Sequence, residues 1–505
     1  MSVACVYTAQ GTVTGGIPVV IEADLVRGLL SFSIVGLPGK AVEEAKDRVS
    51  AAIKNSGFPS PKSQNHKITI SLAPADIKKE GPLFDLPIAI AYLLSCEEIH
   101  EDGVKRMYIG ELGLGGELRG VHGVLPIIQT AKDNGFAEVI VPRENVREAS
   151  LVAGVSIFAA STLTDVIRHI DPKRPDHIKL VTEELTVIPK VWAEGLVRLE
   201  DIKGQESAKR GLLLAAAGRH NVIMVGPPGT GKTMLARAFQ GILPPLSREE
   251  ALEVTRIHSV AGVLSHSVTS QPPFRAPHHT ASHTSLVGGG THPRPGEVTL
   301  AHKGVLFLDE FPEFERRSID ALRQPLEDRV VSISRVQGTA LFPADFIMVA
   351  AMNPYRGTED GTTDYAGAMQ DTYKGKISGP ILDRIDLWLP VPHVPYETLT
   401  GMRNDDGETE HAREQILKAR ELQKTRLKTR GVTSNAEMSA RDIEETVTLT
   451  PEIKDILRLS AQKLNLSPRS YHRLIKVSRT IADLDGAELI EPKHLYEALQ
   501  YRVKL

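Results

Sequence analysis

Cysteine is almost absent from this 505-residue chain, which holds only Cys5 and Cys96. Two thiols cannot build a disulfide framework, and their scarcity points to a reducing interior. Long apolar runs are missing as well: no stretch reaches the roughly 18 residues that a membrane-spanning helix needs. Residues 1–7 have neither the charged head nor the apolar core of a secretory leader. A cytoplasmic location and no membrane partner are therefore expected. Charge of one sign is not in excess either, with 60 Lys and Arg against 63 Asp and Glu. That balance excludes a globally basic coat for nucleic acid, though not a local basic channel. Internal repeats and low-complexity tracts are lacking too. What remains, 41% apolar and 24% charged residues, is the composition of a globular protein. At roughly 150 residues per domain, the length suggests about three domains.

Residues 1–170 mix short strands, at 18–23, 67–72 and 138–141, with helical spacing over 41–55 and 85–95. Asp171-Pro172-Lys173-Arg174-Pro175-Asp176 is polar and Pro-rich, and it opens a linker expected over 171–197. Strands and helices alternate over 198–395, as in an α/β nucleotide-binding core. Residues 396–505 turn mostly helical. There Ser467 is expected to cap a helix that carries Leu474, Ile475, Ile481 and Leu484 on one face.

The octapeptide Gly226-Pro227-Pro228-Gly229-Thr230-Gly231-Lys232-Thr233 fits G-x-x-x-x-G-K-[ST]. It follows the apolar run 221–225 and precedes a good helix former at 234–239, the context a phosphate-binding loop requires. The glycines let backbone N–H groups turn around phosphate oxygens, and the helix N-terminus adds partial positive charge. Lys232 would reach the terminal phosphates of a nucleoside triphosphate, and the Thr233 hydroxyl would ligate Mg²⁺.

Val305-Leu306-Phe307-Leu308 reads as a buried parallel strand, and Asp309 and Glu310 stand at its carboxyl end, where ligands sit in open α/β sheets. Asp309 suits Mg²⁺ and Glu310 the attacking water, because phosphoryl transfer depends on positioning and charge stabilisation. A second apolar run, 346–352, ends at Asn353, whose amide could orient that water or contact the γ-phosphate. Arg384, in an apolar frame, and Arg469, at the opening of a helix, are candidate arginine fingers.

In this order and spacing, GPPGTGKT, VLFLDE, AAMNP, LDRID and SPRSYHRL resemble an AAA+ ATPase. More narrowly, the chain resembles the bacterial magnesium-chelatase-like YifB/ComM family over essentially its whole length. Residues 274–280 and 288–302 are especially close to that family. The resemblance implies an α/β fold: an AAA+ P-loop core with a helix-2 insertion, and a C-terminal helical lid bearing a second sensor. An α+β Lon-protease-like domain of the ribosomal S5 domain 2-like kind would precede them. It also implies a pore hairpin over 330–346, with Val331, Ile333 and Arg335 rising to Gln337-Gly338 and Leu341 and Phe342 returning.

A ring, of six subunits in the family, would hydrolyse ATP between its members. Lys232, Thr233, Asp309, Glu310 and Asn353 would act in cis and Arg384 from the neighbour, while Arg469, at the second sensor, is open to either. The implied activity is ATP-driven unwinding and branch migration of DNA junctions during integration of DNA in natural transformation. Its partners would be single-stranded or branched DNA and recombination proteins. Arg335 and Lys303 are candidate phosphate contacts, which position DNA without reading its sequence. The alternative is a chelatase-type remodelling ATPase that acts on a protein partner.

Two departures from the family stand out. Residues 355–378 hold no cysteine where the family has a Cys-rich loop, so a thiolate zinc site is excluded there and no zinc is expected. Leu83 and Leu125 fall where Lon proteases carry their nucleophile and lysine, and alkyl groups can neither attack a carbonyl nor accept a proton. The first domain is therefore expected to be a non-proteolytic scaffold. His278, His279, His283, His292 and His302 cluster in sequence without the i, i+4 pairing of a zincin, and hydrogen bonds to backbone or DNA phosphate are the expected role.

Overall fold

The computed structural model describes residues 3–502 apart from 64, 193–196, 265–267, 269, 291–293, 336–337, 354–376, 401–406 and 465. They divide into two compact units, residues 1–189 with 251–269, and residues 190–250 with 270–505.

In the first unit a seven-stranded sheet runs in the order 31–35, 66–73, 15–27, 4–12, 106–108, 138–142, 156–160. The strands 4–12, 15–27 and 66–73 pair antiparallel, and the remaining pairs are parallel. Alternation decides which side is covered: Val19, Ile21, Ala23 and Leu25 are buried at every second position of Gly15–Arg27. The helices Lys40–Asn55, Asp85–Ser95 and Val124–Asp133 contribute buried apolar residues to the same core. Leu83 and Leu125 belong to that core, only 6% and 2% exposed, so both positions serve packing.

The stretch expected as a linker is tied down as far as Thr186, whose N–H donates to Ser150 O at 2.9 Å. Ile178 N–H donates to Arg168 O at 3.1 Å, Leu180 N–H to His169 Nδ1 at 3.0 Å, and Glu183 N–H to Ile157 O at 2.9 Å. Proline-rich composition rules out a helix there, but the remaining backbone groups still need partners.

The second unit is built on a five-stranded sheet in the order 274–275, 305–308, 347–352, 222–225, 387–390, with every pair parallel. All residues of Val222–Val225, Val305–Leu308 and Ile347–Met352 are buried, which explains why each reads as a continuous apolar run. Val225 lies opposite Met352, and Leu308 opposite Ala350. This register sets the phosphate loop, Asp309-Glu310 and Asn353 at the same end of three adjacent strands. The hairpin is present as Val330–Arg335 and Gly338–Pro343.

Core and C-terminal helices, expected as separate domains, share one apolar cluster that runs from Leu199 to Tyr501. The reason lies in Glu206–Gly218, which is buried almost all round. Its last carbonyls are satisfied from Glu408–Leu427: the Arg420 guanidinium donates to Ala216 O at 2.7 Å and Gln423 Nε2 to Ala217 O at 3.1 Å. Ser467 caps Pro468–Leu484, its hydroxyl accepting from Ser470 N–H at 3.2 Å.

Candidate functional site

Between Val225 and the helix Lys232–Ile242, the chain turns through a loop whose shape only glycine allows at three points. Gly229 and Gly231 have φ of 78° and 90°, a region that L side chains avoid. A Cβ on Gly226 would stand 2.0 Å from Val391 O. A Cβ on Gly229 or Gly231 would meet nothing within 4 Å, so the loop is open on the side where phosphates would lie. The first N–H groups of Lys232–Ile242 have no partner within their own helix. They and this open side fit a triphosphate.

Lys232 is held by three acceptors. Its Nζ donates to Gly226 O at 2.7 Å, Pro227 O at 2.7 Å and Asn353 Oδ1 at 2.9 Å. Burial pushes its ammonium below the usual lysine value, and the nearby Asp309 carboxylate works against that shift. Thr233 Oγ1 donates to Asp309 Oδ2 at 3.1 Å. This hydroxyl and carboxylate are hard oxygen ligands on one spot, the donor set that suits Mg²⁺.

Glu310 follows in the left-handed region, φ 50°, a conformation that costs a non-glycine residue about 1–3 kcal/mol and clusters at functional sites. Its N–H donates to Asp309 Oδ1 at 2.9 Å, and its Oε2 lies 3.1 Å from His279 Nδ1. His279 follows the strand Phe274–Arg275. It thus reaches the carboxylate nearest the proposed chemistry, which the sequence pattern alone did not indicate.

Arg384 and Arg469 converge elsewhere. Both guanidinium groups pair with Glu327, and Arg384 also donates to Pro380 O. The Arg384 guanidinium holds the Glu327 carboxyl below its usual range, and Arg469 adds to the effect. The three residues line a cavity of about 670 Å³, whose walls include no residue of 226–233. Glu327 was not legible beforehand, because nothing in its local sequence distinguishes it from a solvated acid at a helix end.

Lys303, a candidate DNA contact, is engaged inside the fold. Its Nζ donates to Asp345 Oδ2 at 2.7 Å, and Asp345 also receives Arg219 at 2.9 Å. Burial would raise the Asp345 carboxyl, but Arg219, Lys303 and Arg329 together hold it far below the usual range. The charge of Lys303 is thus spent on a buried carboxylate, which sequence spacing could not foretell. Arg335 ends the first hairpin strand, and its side chain lies outside the described residues, as do Gln337, His292 and residues 354–376 of the cysteine-free loop. Among the other histidines, His278 stacks near His279 and pairs with Thr280 Oγ1 at 2.9 Å. His302 is buried and accepts from Asp345 N–H at 3.0 Å. No group of three metal-ligating side chains forms among the described residues, and no described helix is long and apolar enough to cross a membrane.

Residues 198–399 match the family described as magnesium chelatase, subunit ChlI. Residues 21–145 match a second family described as subunit ChlI of Mg-chelatase, and residues 406–502 match its C-terminal family. The competence protein ComM of Haemophilus influenzae is 44% identical over 99% of this chain and 98% of its own length. The uncharacterised protein YifB of Salmonella typhimurium is 41% identical over 99% of this chain and 97% of its own. A magnesium-chelatase 67 kDa subunit of Chlorobaculum parvum is 27% identical over 32% of this chain and 24% of its own length. With a parallel sheet that carries its phosphate loop, Asp-Glu pair and Asn at one end, the chain belongs to the magnesium-chelatase-like AAA+ family of ComM and YifB.

Proposed function

We propose that the chain is an ATP-driven ring motor on DNA, a helicase that moves the branch point of recombination intermediates in the cytoplasm. The observation that carries the ATPase part is the meeting of Lys232, Thr233, Asp309 and Asn353 across adjacent strand ends. In this reading Lys232 exchanges its three carbonyl acceptors for phosphate oxygens. Asn353 contacts the terminal phosphate, and Glu310 polarises the attacking water and takes its proton. Bound Mg²⁺, held by Thr233 and Asp309, would neutralise charge that develops on the phosphates.

The ring part is supported by what is absent from this cluster. Arg384 and Arg469 pair with Glu327 in a cavity without phosphate-loop residues, so both are read as groups that serve a neighbouring copy's ATP. A guanidinium supplied from another subunit can raise phosphoryl-transfer rates by about 10³–10⁵. DNA as the polymer is supported by the likeness to a competence protein and by the hairpin Val330–Arg335 and Gly338–Pro343, where Leu341 is 52% exposed. The first unit, with Leu83 and Leu125 in its core, is read as a non-proteolytic Lon-like scaffold.

The test is ATP turnover against forked, four-way and linear DNA over a range of salt. Branched or single-stranded DNA should stimulate turnover, and affinity should fall as salt rises because phosphate contacts release counterions. Turnover indifferent to every DNA would sink this reading. It would favour the second one, a chelatase-type remodelling ATPase with a protein partner, which the match to the magnesium chelatase family supports.

A further inference from the structure

We propose that Glu327 is a positioning residue that stands in for a phosphate. It gathers Arg384 and Arg469 at one cavity and yields both to the terminal phosphate of ATP bound by a second copy of the chain. The inference rests on the reading that these arginines act across a subunit boundary. Three elements separate in sequence supply the group. Glu327 lies in the last turn of the short helix Arg323–Asp328, Arg384 follows Gly379–Leu382, and Arg469 lies in the first turn of Pro468–Leu484.

Exposure separates the Glu327 carboxylate from the other carboxylates of the cavity. The carboxylates of Asp345, Glu437 and Asp386, which bind Arg219, Arg329 and Arg473, have side chains only 10%, 6% and 14% exposed. Those pairs are internal, and removing one partner would strand a buried charge. The side chain of Glu327 is 47% exposed and that of Arg469 45%, while Arg384 reaches the same carboxylate from a side chain 11% exposed. The open Glu327–Arg469 pair is weak. Glu327 can leave both guanidinium groups without stranding its own charge in the interior.

The chemistry of exchange favours phosphate. A guanidinium fork fits carboxylate and phosphate alike, but a terminal phosphate carries more charge and three acceptor oxygens. One carboxylate shared by two arginines occupies the place in which such a group would sit. Displacing it costs the assembling ring part of the new contact's free energy, so Glu327 raises the subunit concentration that ATP-driven association requires.

The experiment is sedimentation velocity with ATP against subunit concentration, in a Glu310→Gln background so that nucleotide persists. Glu327→Gln keeps the shape and removes the charge. Its assembly midpoint should fall about five- to tenfold, while Glu327→Asp, shorter by one methylene, should shift it less. A midpoint that stays put or rises with Glu327→Gln would overturn the proposal. So would a loss of turnover that parallels Arg384→Ala when Glu310 is intact. Should Arg384→Ala itself retain full turnover, the boundary reading fails, whatever the Glu327 variants do.

Discussion

Replacing Lys303 by alanine should destabilise the second unit and leave the proposed affinity for DNA unchanged. The Lys303 ammonium lies 2.7 Å from Asp345 Oδ2, and Asp345 is 7% exposed. A hydrogen bond to a charged group contributes about 1.5–3 kcal/mol. Stripping a buried ion of every partner costs more, about 3–5 kcal/mol. Arg219 stays at 2.9 Å and Arg329 at 3.7 Å, so the lower range applies and a loss of about 2 kcal/mol is expected. The sign of the pH dependence follows from the depressed carboxyl of Asp345. Its stabilisation is complete above the unfolded carboxyl value of about 4 and is lost as pH falls through the folded value. The gap between parent and Lys303→Ala should therefore be full at pH 7 and narrow only as pH falls well below about 4, toward the depressed folded value. Urea unfolding followed by circular dichroism across this pH range reads this out. The reasoning is refuted by an unchanged urea midpoint at pH 7 together with a DNA salt slope reduced by about 1, the mark of a lost phosphate contact.

Three further outcomes are expected at the nucleotide site. Lys232→Ala removes a partly buried cation with three acceptors, and ATP affinity by calorimetry should fall by about 2–5 kcal/mol. Glu310→Gln should keep nucleotide affinity within a few fold, whereas steady-state phosphate release drops by about 10²–10⁴. Arg384→Ala should abolish turnover, and adding Glu310→Gln subunits with an intact arginine should restore part of it. No recovery in such mixtures would place the arginine within its own subunit.

The nucleotide loop was legible because its chemistry is consecutive in the chain: three glycines, a lysine and two threonines in eight residues. Asp309 and Asn353 were legible because buried parallel strands read as apolar runs, and their carboxyl ends are where such sheets hold ligands. What was hidden depends on side chains distant in sequence. Asp345 binds Arg219, Lys303 and Arg329, and no periodicity announces that a surface-like lysine is consumed by a buried acid. Glu327 meets Arg469 across 142 positions. The segment 171–189 reads as a linker by composition because proline reports only the lack of a helix, and backbone hydrogen bonds to Arg168 and Ile157 leave no compositional trace. Likewise the boundary near residue 396 marks a change from strands to helices, while the apolar cluster passes straight through it.

The account stands or falls on whether ATP cleavage moves a DNA branch point. A fluorescently labelled four-way junction, incubated with the intact protein and ATP, should resolve into two-armed products. The conversion should stop with Glu310→Gln and with Arg384→Ala. Junctions left intact by protein that turns over ATP at the same rate with and without DNA would contradict it.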